Sequence, residues 1–187
     1  RRHTKLQGDW CSDVCSSDLP FTPLLHEVAT GTLLSHDIIF EYESFFKNNG
    51  FQFVRGEATK IDYQKGEVWI GDDSVSFDYL VLATGARMHP RGIKGIEHVY
   101  DLKSAEDAVT LKRAILSRAQ SDERTVRVTV VGGGPTGLEL LCDVQQLLRQ
   151  VKKREPDLDY TVRLIHAGET LGGFSRSSIK SYIQKRL

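Results

Sequence analysis

The chain has 187 residues, enough at ~100–200 residues per domain for one complete domain or parts of two. Hydrophobic residues make up 40% and charged residues 27%, near the soluble globular average, which excludes disordered, collagenous and coiled-coil chains. Lys+Arg and Asp+Glu are 25 each, so no net field draws the chain to nucleic acid or to an anionic membrane, and no nucleic-acid partner is expected.

No apolar run reaches the ~18–20 residues that span a bilayer, and the N-terminal RRHTKLQGDW carries no signal-peptide core, so a cytoplasmic protein is expected. Residues 9–19, DWCSDVCSSDL, have neither helical nor strand periodicity. They resemble the translation of a sequencing-library adapter, matching ten residues of eleven with Cys11 in place of Ser. Residues 1–19 are therefore read as a non-native tail, outside the fold. Of the three cysteines, Cys11 and Cys15 then fall in the tail and Cys142 stands alone in an apolar helical stretch. Neither a disulfide framework nor a metal site is expected.

Residues 21–34 mix Pro, Gly and Thr with apolar positions and predict an ordered loop with a short helix. Ser35 is placed to cap an amphipathic helix over 37–48, with Ile38, Ile39, Tyr42, Phe45 and Phe46 on its apolar face and Gly50 as the stop. Three β-prone runs, 51–62, 67–70 and 75–77, separated by YQKG and GDDS, predict a small antiparallel meander. YLVLA at 79–83 is a continuous apolar run of the kind buried in a parallel sheet. Residues 104–119 form a helix opened by SAED, a capping-type start. Beyond the polar break SDER come a strand at 126–131, the turn GGGPTG, a Leu-rich helix at 138–151 and a second strand at 160–166. This is one β-α-β unit, followed by a helix at 177–187.

The glycine pattern inside that unit carries the chemistry. Gly132, Gly134 and Gly137, with Pro135 and Thr136 between the last two, follow a strand and open a helix, the context that a dinucleotide fingerprint requires. Gly132 permits the tight turn, Gly134 lets a pyrophosphate approach the backbone, and Gly137 lets the helix pack on the strand. At the end of the second strand, where NAD sites carry an acid for the ribose 2′-OH, this chain has His166, with Glu169 three residues on. His166 reads either as a ribose contact or as an ordinary strand-end histidine, and NAD against NADP stays open.

FTPLLHEVATGTLL, FDYLVLATGA and VTVVGGGPTGLELL together resemble the type II NADH dehydrogenases, FAD enzymes that pass electrons from NADH to a quinone. The resemblance covers nearly all of residues 20–187. It implies an α/β fragment of a flavoprotein with two dinucleotide-binding domains. Residues 20–124 would be part of the FAD domain, including the meander, and residues 125–187 the first β-α-β of a Rossmann-type NAD(P)H domain. It further implies that Thr84 and Gly85 lie against FAD and that Ala58 belongs to the segment meeting the adenine. Glu27 and Thr30 become polar candidates in the loop beside the flavin. Glu139 matches a glutamate near the nicotinamide and flavin rings, and reads otherwise as a first-turn acid favouring the helix dipole. FAD with NADH or NADPH are the implied cofactors and quinone the implied acceptor. The resemblance leaves room for a homodimer and for peripheral association with the cytoplasmic face of the inner membrane.

The chain departs from the family pattern in several places. The first β-α-β unit with the FAD pyrophosphate motif should precede FTPLLHEV, and the tail stands there instead. Leu141 and Cys142 replace the small residues usual after the glutamate. The C-x4-C of disulfide reductases is absent, as are the paired cysteines of sulfide:quinone oxidoreductases. The alternatives are a reductase of a protein carrier such as ferredoxin, and an inert fragment with at most weak dinucleotide binding.

Overall fold

Packing in the computed structural model, which describes residues 18–49, 51–85 and 92–168, divides the chain into two units. One is Arg1–Pro20 with Ile39–Lys94, the other Phe21–Ile38 with Gly95–Leu187. The class is α/β as expected: an antiparallel meander in one unit and a parallel β-α-β in the other.

In the first unit, β1 (Asp18–Pro20) pairs antiparallel with β2 (Ile39–Glu41), Leu19 opposite Phe40. The last two residues of the segment read as a tail thus pair with the body, since backbone pairing asks nothing of side-chain identity. The single helix expected over 37–48 is broken. Ser35–Ile38 is a 3-10 turn, capped by the Asp37 carboxylate, which accepts from Leu34 N at 2.8 Å, and only Tyr42–Asn48 is helical, as α2. Ile39 and Phe40 suit a strand as well as a helix, and pairing with β1 decides between them. Gly50, the expected stop, lies outside the described residues, and Asn49 caps the helix end, its amide donating to Phe45 O at 2.8 Å. Tyr42, Phe46 and Phe53 stack with centroids 5.4–5.5 Å apart, and Phe51 meets Phe46 edge-on. The meander forms as predicted, with a shorter first strand: β3 (Ala58–Asp62), β4 (Glu67–Ile70) and β5 (Asp73–Ser76), in that order.

The expected buried strand at 79–83 is not formed. Tyr79, Val81 and Leu82 are 94%, 80% and 60% exposed, and among the described residues no strand pairs with them. Burying such a run takes a paired neighbour and covering elements, which composition alone does not supply.

The second unit is built on β6 (Thr125–Val131) and β7 (Asp159–Ile165), parallel and in register from Thr125 opposite Asp159 to Val131 opposite Ile165. They are joined by α4 (Pro135–Arg154), whose Leu138, Leu141, Val144 and Leu148 form one buried face. Against this sheet packs α3 (Ala105–Ala119), started by a reciprocal cap in which Ser104 Oγ accepts from Asp107 N and Asp107 Oδ2 accepts from Ser104 N. Ile115, Ala119, Val126, Val144, Leu148 and Leu158 make the core. The boundary expected at residue 124 therefore runs through a packed unit. The predicted helix at 177–187 lies outside the described residues.

The second unit also takes in α1 (Leu25–Thr30), a six-residue helix with Leu25, Val28, Ala29 and Thr30 buried. It ends at Gly31, whose φ of +81° is the left-handed cap that glycine favours.

Leu148→Ala, which opens a cavity at a fully buried position, is expected to destabilise by about 2–5 kcal/mol. Ser104→Ala, which removes one cap, should cost about 1 kcal/mol. Denaturant midpoints of the two variants check the order, and equal shifts would contradict the core described here.

Candidate functional site

β6 ends at Val131, and three glycines shape the turn after it. Gly132 has φ +117°, which side chains avoid, and its N–H donates to Ile165 O at 2.9 Å, so β7 holds the start of the turn. Gly134 is the N-cap of α4, exposed, with nothing within 4 Å of where a Cβ would stand. A Cβ on Gly137 would run into the Gly132 carbonyl oxygen. No side chain caps the helix, no acid lies in its first turn, and Pro135 brings no N–H. The first intrahelical bond is Leu138 N to Gly134 O at 3.1 Å, which leaves the N–H groups of Thr136 and Gly137 at the positive end of the helix. This cradle fits a pyrophosphate, because the space at Gly134 is open and the only charge the helix end favours is negative.

His166 lies at the same end of the sheet. Its Nδ1 accepts from Gly133 N at 3.2 Å, so the hydrogen of the neutral ring is on Nε2. A Cβ on Gly133 would meet the ring, and one on Gly168 would meet Nε2. The imidazole is thus wedged between two glycines and braces the turn. Gly133, to which the sequence pattern assigns no role, is required by that wedge.

Glu139 lies in the second turn of α4, beyond the reach of the dipole, so the reading of it as a first-turn acid does not hold. Its Oε2 is 3.6 Å from His26 Nε2, and His26 Nδ1 is 2.7 Å from Asp143 Oδ2. Glu139 and Asp143 are i, i+4 neighbours on one helix face, a spacing visible in the sequence, whereas their partner 117 residues from Asp143 is not. Glu27 is half-buried on α1. Thr30 is buried, and its hydroxyl donates to His26 O at 3.0 Å, leaving only acceptor capacity for any ligand.

The remaining candidates belong to the first unit. Ala58 is 4% exposed and sits in β3 opposite Ile70, while Thr84 and Gly85 are exposed, Gly85 with φ +72°. Cys142 is exposed at the surface, and partial desolvation, with the Asp143 carboxylate beside it, pushes its thiol up, so it stays protonated at neutral pH. Among the described residues no group of three or more His, Cys, Asp or Glu could hold a metal, and no helix is long and apolar enough to cross a membrane.

Residues 18–187 match the profile of the pyridine nucleotide-disulphide oxidoreductases. The chain is 30% identical to the external alternative NAD(P)H-ubiquinone oxidoreductase B4, mitochondrial, of Arabidopsis thaliana, across 89% of this chain and 33% of that protein. It is 29% identical to the type II NADH:quinone oxidoreductase of Staphylococcus haemolyticus, across 68% of this chain and 34% of that one. The chain spans about a third of the length of the curated relatives it matches. Its fold is similar to that of NDH2 from Plasmodium falciparum in complex with NADH, with a TM-score of 0.78 at 24% identity, covering 92% of this chain and 39% of that one. With the glycine turn in place and the profile matched from residue 18 to residue 187, the chain belongs to the pyridine nucleotide-disulphide oxidoreductase family.

Proposed function

We propose that this chain serves an FAD-dependent oxidoreductase that takes hydride from NAD(P)H and passes electrons to a quinone. The observation that carries the reading is the open, uncapped turn at Gly132–Gly137, which suits the pyrophosphate of a nicotinamide dinucleotide. The names of the relatives, NAD(P)H-ubiquinone and NADH:quinone oxidoreductases, support the acceptor. The flavin supplies the redox chemistry when bound. The protein's part is to hold and orient: Gly134, Thr136 and Gly137 at the dinucleotide phosphates, Glu139 toward the nicotinamide, Ala58, Thr84 and Gly85 along FAD, and Glu27 and Thr30 beside the flavin.

His166 braces the turn and sits where a ribose contact would lie, so NADH and NADPH both stay in the proposal. Peripheral association with the cytoplasmic face of a membrane and a homodimer enter only through the resemblance.

Expression of the full-length gene should give yellow protein that reduces a soluble quinone with NADH. Colourless protein inert to NADH would refute the reading, and activity with ferredoxin but not quinones would redirect it to a carrier reductase. Gly134→Ala, a poorer N-cap, should cost less than about 1 kcal/mol of stability yet weaken NADH binding by roughly tenfold, about 1.4 kcal/mol, because its Cβ fills the phosphate approach. Gly137→Ala should lose both stability and binding, since helix and turn must part. Calorimetric titration with NADH and thermal unfolding separate the two. Site-resolved alkylation should find Cys142 slower than free cysteine near neutral pH and faster as pH rises into the alkaline range, the sign expected of a raised thiol pKa. Equal rates at neutral pH would contradict it.

A further inference from the structure

The contact between α1 and α4 is polar at one point. His26 is only 12% exposed in its side chain, against 29% for Asp143 and 52% for Glu139, so the buried imidazole is the fixed member and the two acids reach toward it. Its own backbone is held on both sides. His26 O accepts from the Thr30 hydroxyl, and the helix is closed at Gly31, whose N–H donates to Val28 O at 3.1 Å. The end of the Lys112 side chain of α3 lies against Gly31. At 2.7 Å, Nδ1–H donates to Asp143 Oδ2, which turns the ring so that Nε2 faces Glu139 Oε2 at 3.6 Å.

Two carboxylates at i, i+4 on one helix face repel each other unless a donor stands between them, and the ring supplies it. Glu139 is otherwise a long, half-exposed side chain with free rotamers, a poor way to aim a carboxylate at a ligand.

We propose that His26, oriented by Asp143, is the positioning residue of Glu139 and its proton partner. This rests on the reading of Glu139 as a group near the nicotinamide and flavin. With Nε2 protonated the imidazolium bridges both acids. Passing that proton to Glu139 breaks Nε2–H and forms Oε2–H, leaving a neutral ring beside a neutral acid while Asp143 keeps its charge. Glu139 is thereby held in one direction, with the ring nitrogen 3.6 Å from its Oε2.

The test uses the full-length, flavin-loaded protein. His26→Asn keeps an amide N–H in the place of Nδ1 for Asp143 but removes the atom facing Glu139. It should lower kcat by roughly tenfold or more with a change of less than about twofold in the KM for NADH, matching Glu139→Gln, and the double variant should be no slower than either single one. Multiplying losses, or a wild-type kcat in His26→Asn, overturns the proposal. In protein with 15N-labelled histidine, Glu139→Gln should move the His26 Nε2 resonance while Nδ1 stays protonated. An Nε2 resonance that does not move overturns it independently of turnover and of whether His26→Asn folds. If the wild-type protein does not oxidise NADH, the functional reading fails and the ring resonance alone decides His26. If Glu139→Gln turns over like wild type, the role of Glu139 and this proposal fall together.

Discussion

Helix α4 leaves the sheet through a gap that admits no Cβ. Gly137 faces the carbonyl oxygen of Gly132, and the placement of α4 on the sheet follows from that closeness. The helix start is brought against the strand end, so the N–H groups that no intrahelical bond takes and the end of β7 share one edge. The same closeness lets Leu138, Leu141, Val144 and Leu148 reach the sheet and the core with Val126 and Leu158. With that face committed inward, the Glu139 and Asp143 face is left for α1. Open start, core and polar contact are three sides of one helix whose position is set by a missing methyl group.

What could be read from the residues divides by the range of the forces involved. The β-α-β unit was legible because its signals are local: β-branched runs, a glycine turn and an apolar helix face each lie within a few residues. The capped start of α3 and the meander were legible for the same reason. Residues 35–48 were not, because Ile39 and Phe40 have no strong preference and β1, about twenty residues earlier, supplies the pairing. YLVLA has the composition of a buried strand and is exposed in the described residues, since burial is a property of neighbours and not of the run itself.

The site divides in the same way. The three glycines follow from the motif, whereas Gly133 becomes meaningful only when His166 swings over it. Glu139 could be named from the resemblance, but its spacing to Asp143 says nothing of His26. Packing of α1 across a long stretch of chain has no counterpart in any window of sequence. The PLLHEVATG segment reads as a ligand loop, and in this structure its buried residues also make it a structural strut.

That strut has a consequence for the order of events during synthesis. Six residues cannot sustain a helix in water, since nucleation alone costs more than so few bonds return. The anchor of α1 lies 117 residues further on, beyond the whole of Ile39–Lys94, which packs as another unit. The helices that α1 packs against, α3 and α4, both follow that stretch, so the segment gains its packing only after they have been made. The second unit thus joins segments far apart in the chain, and the His26–Asp143 contact is one of the longest-range links that hold it.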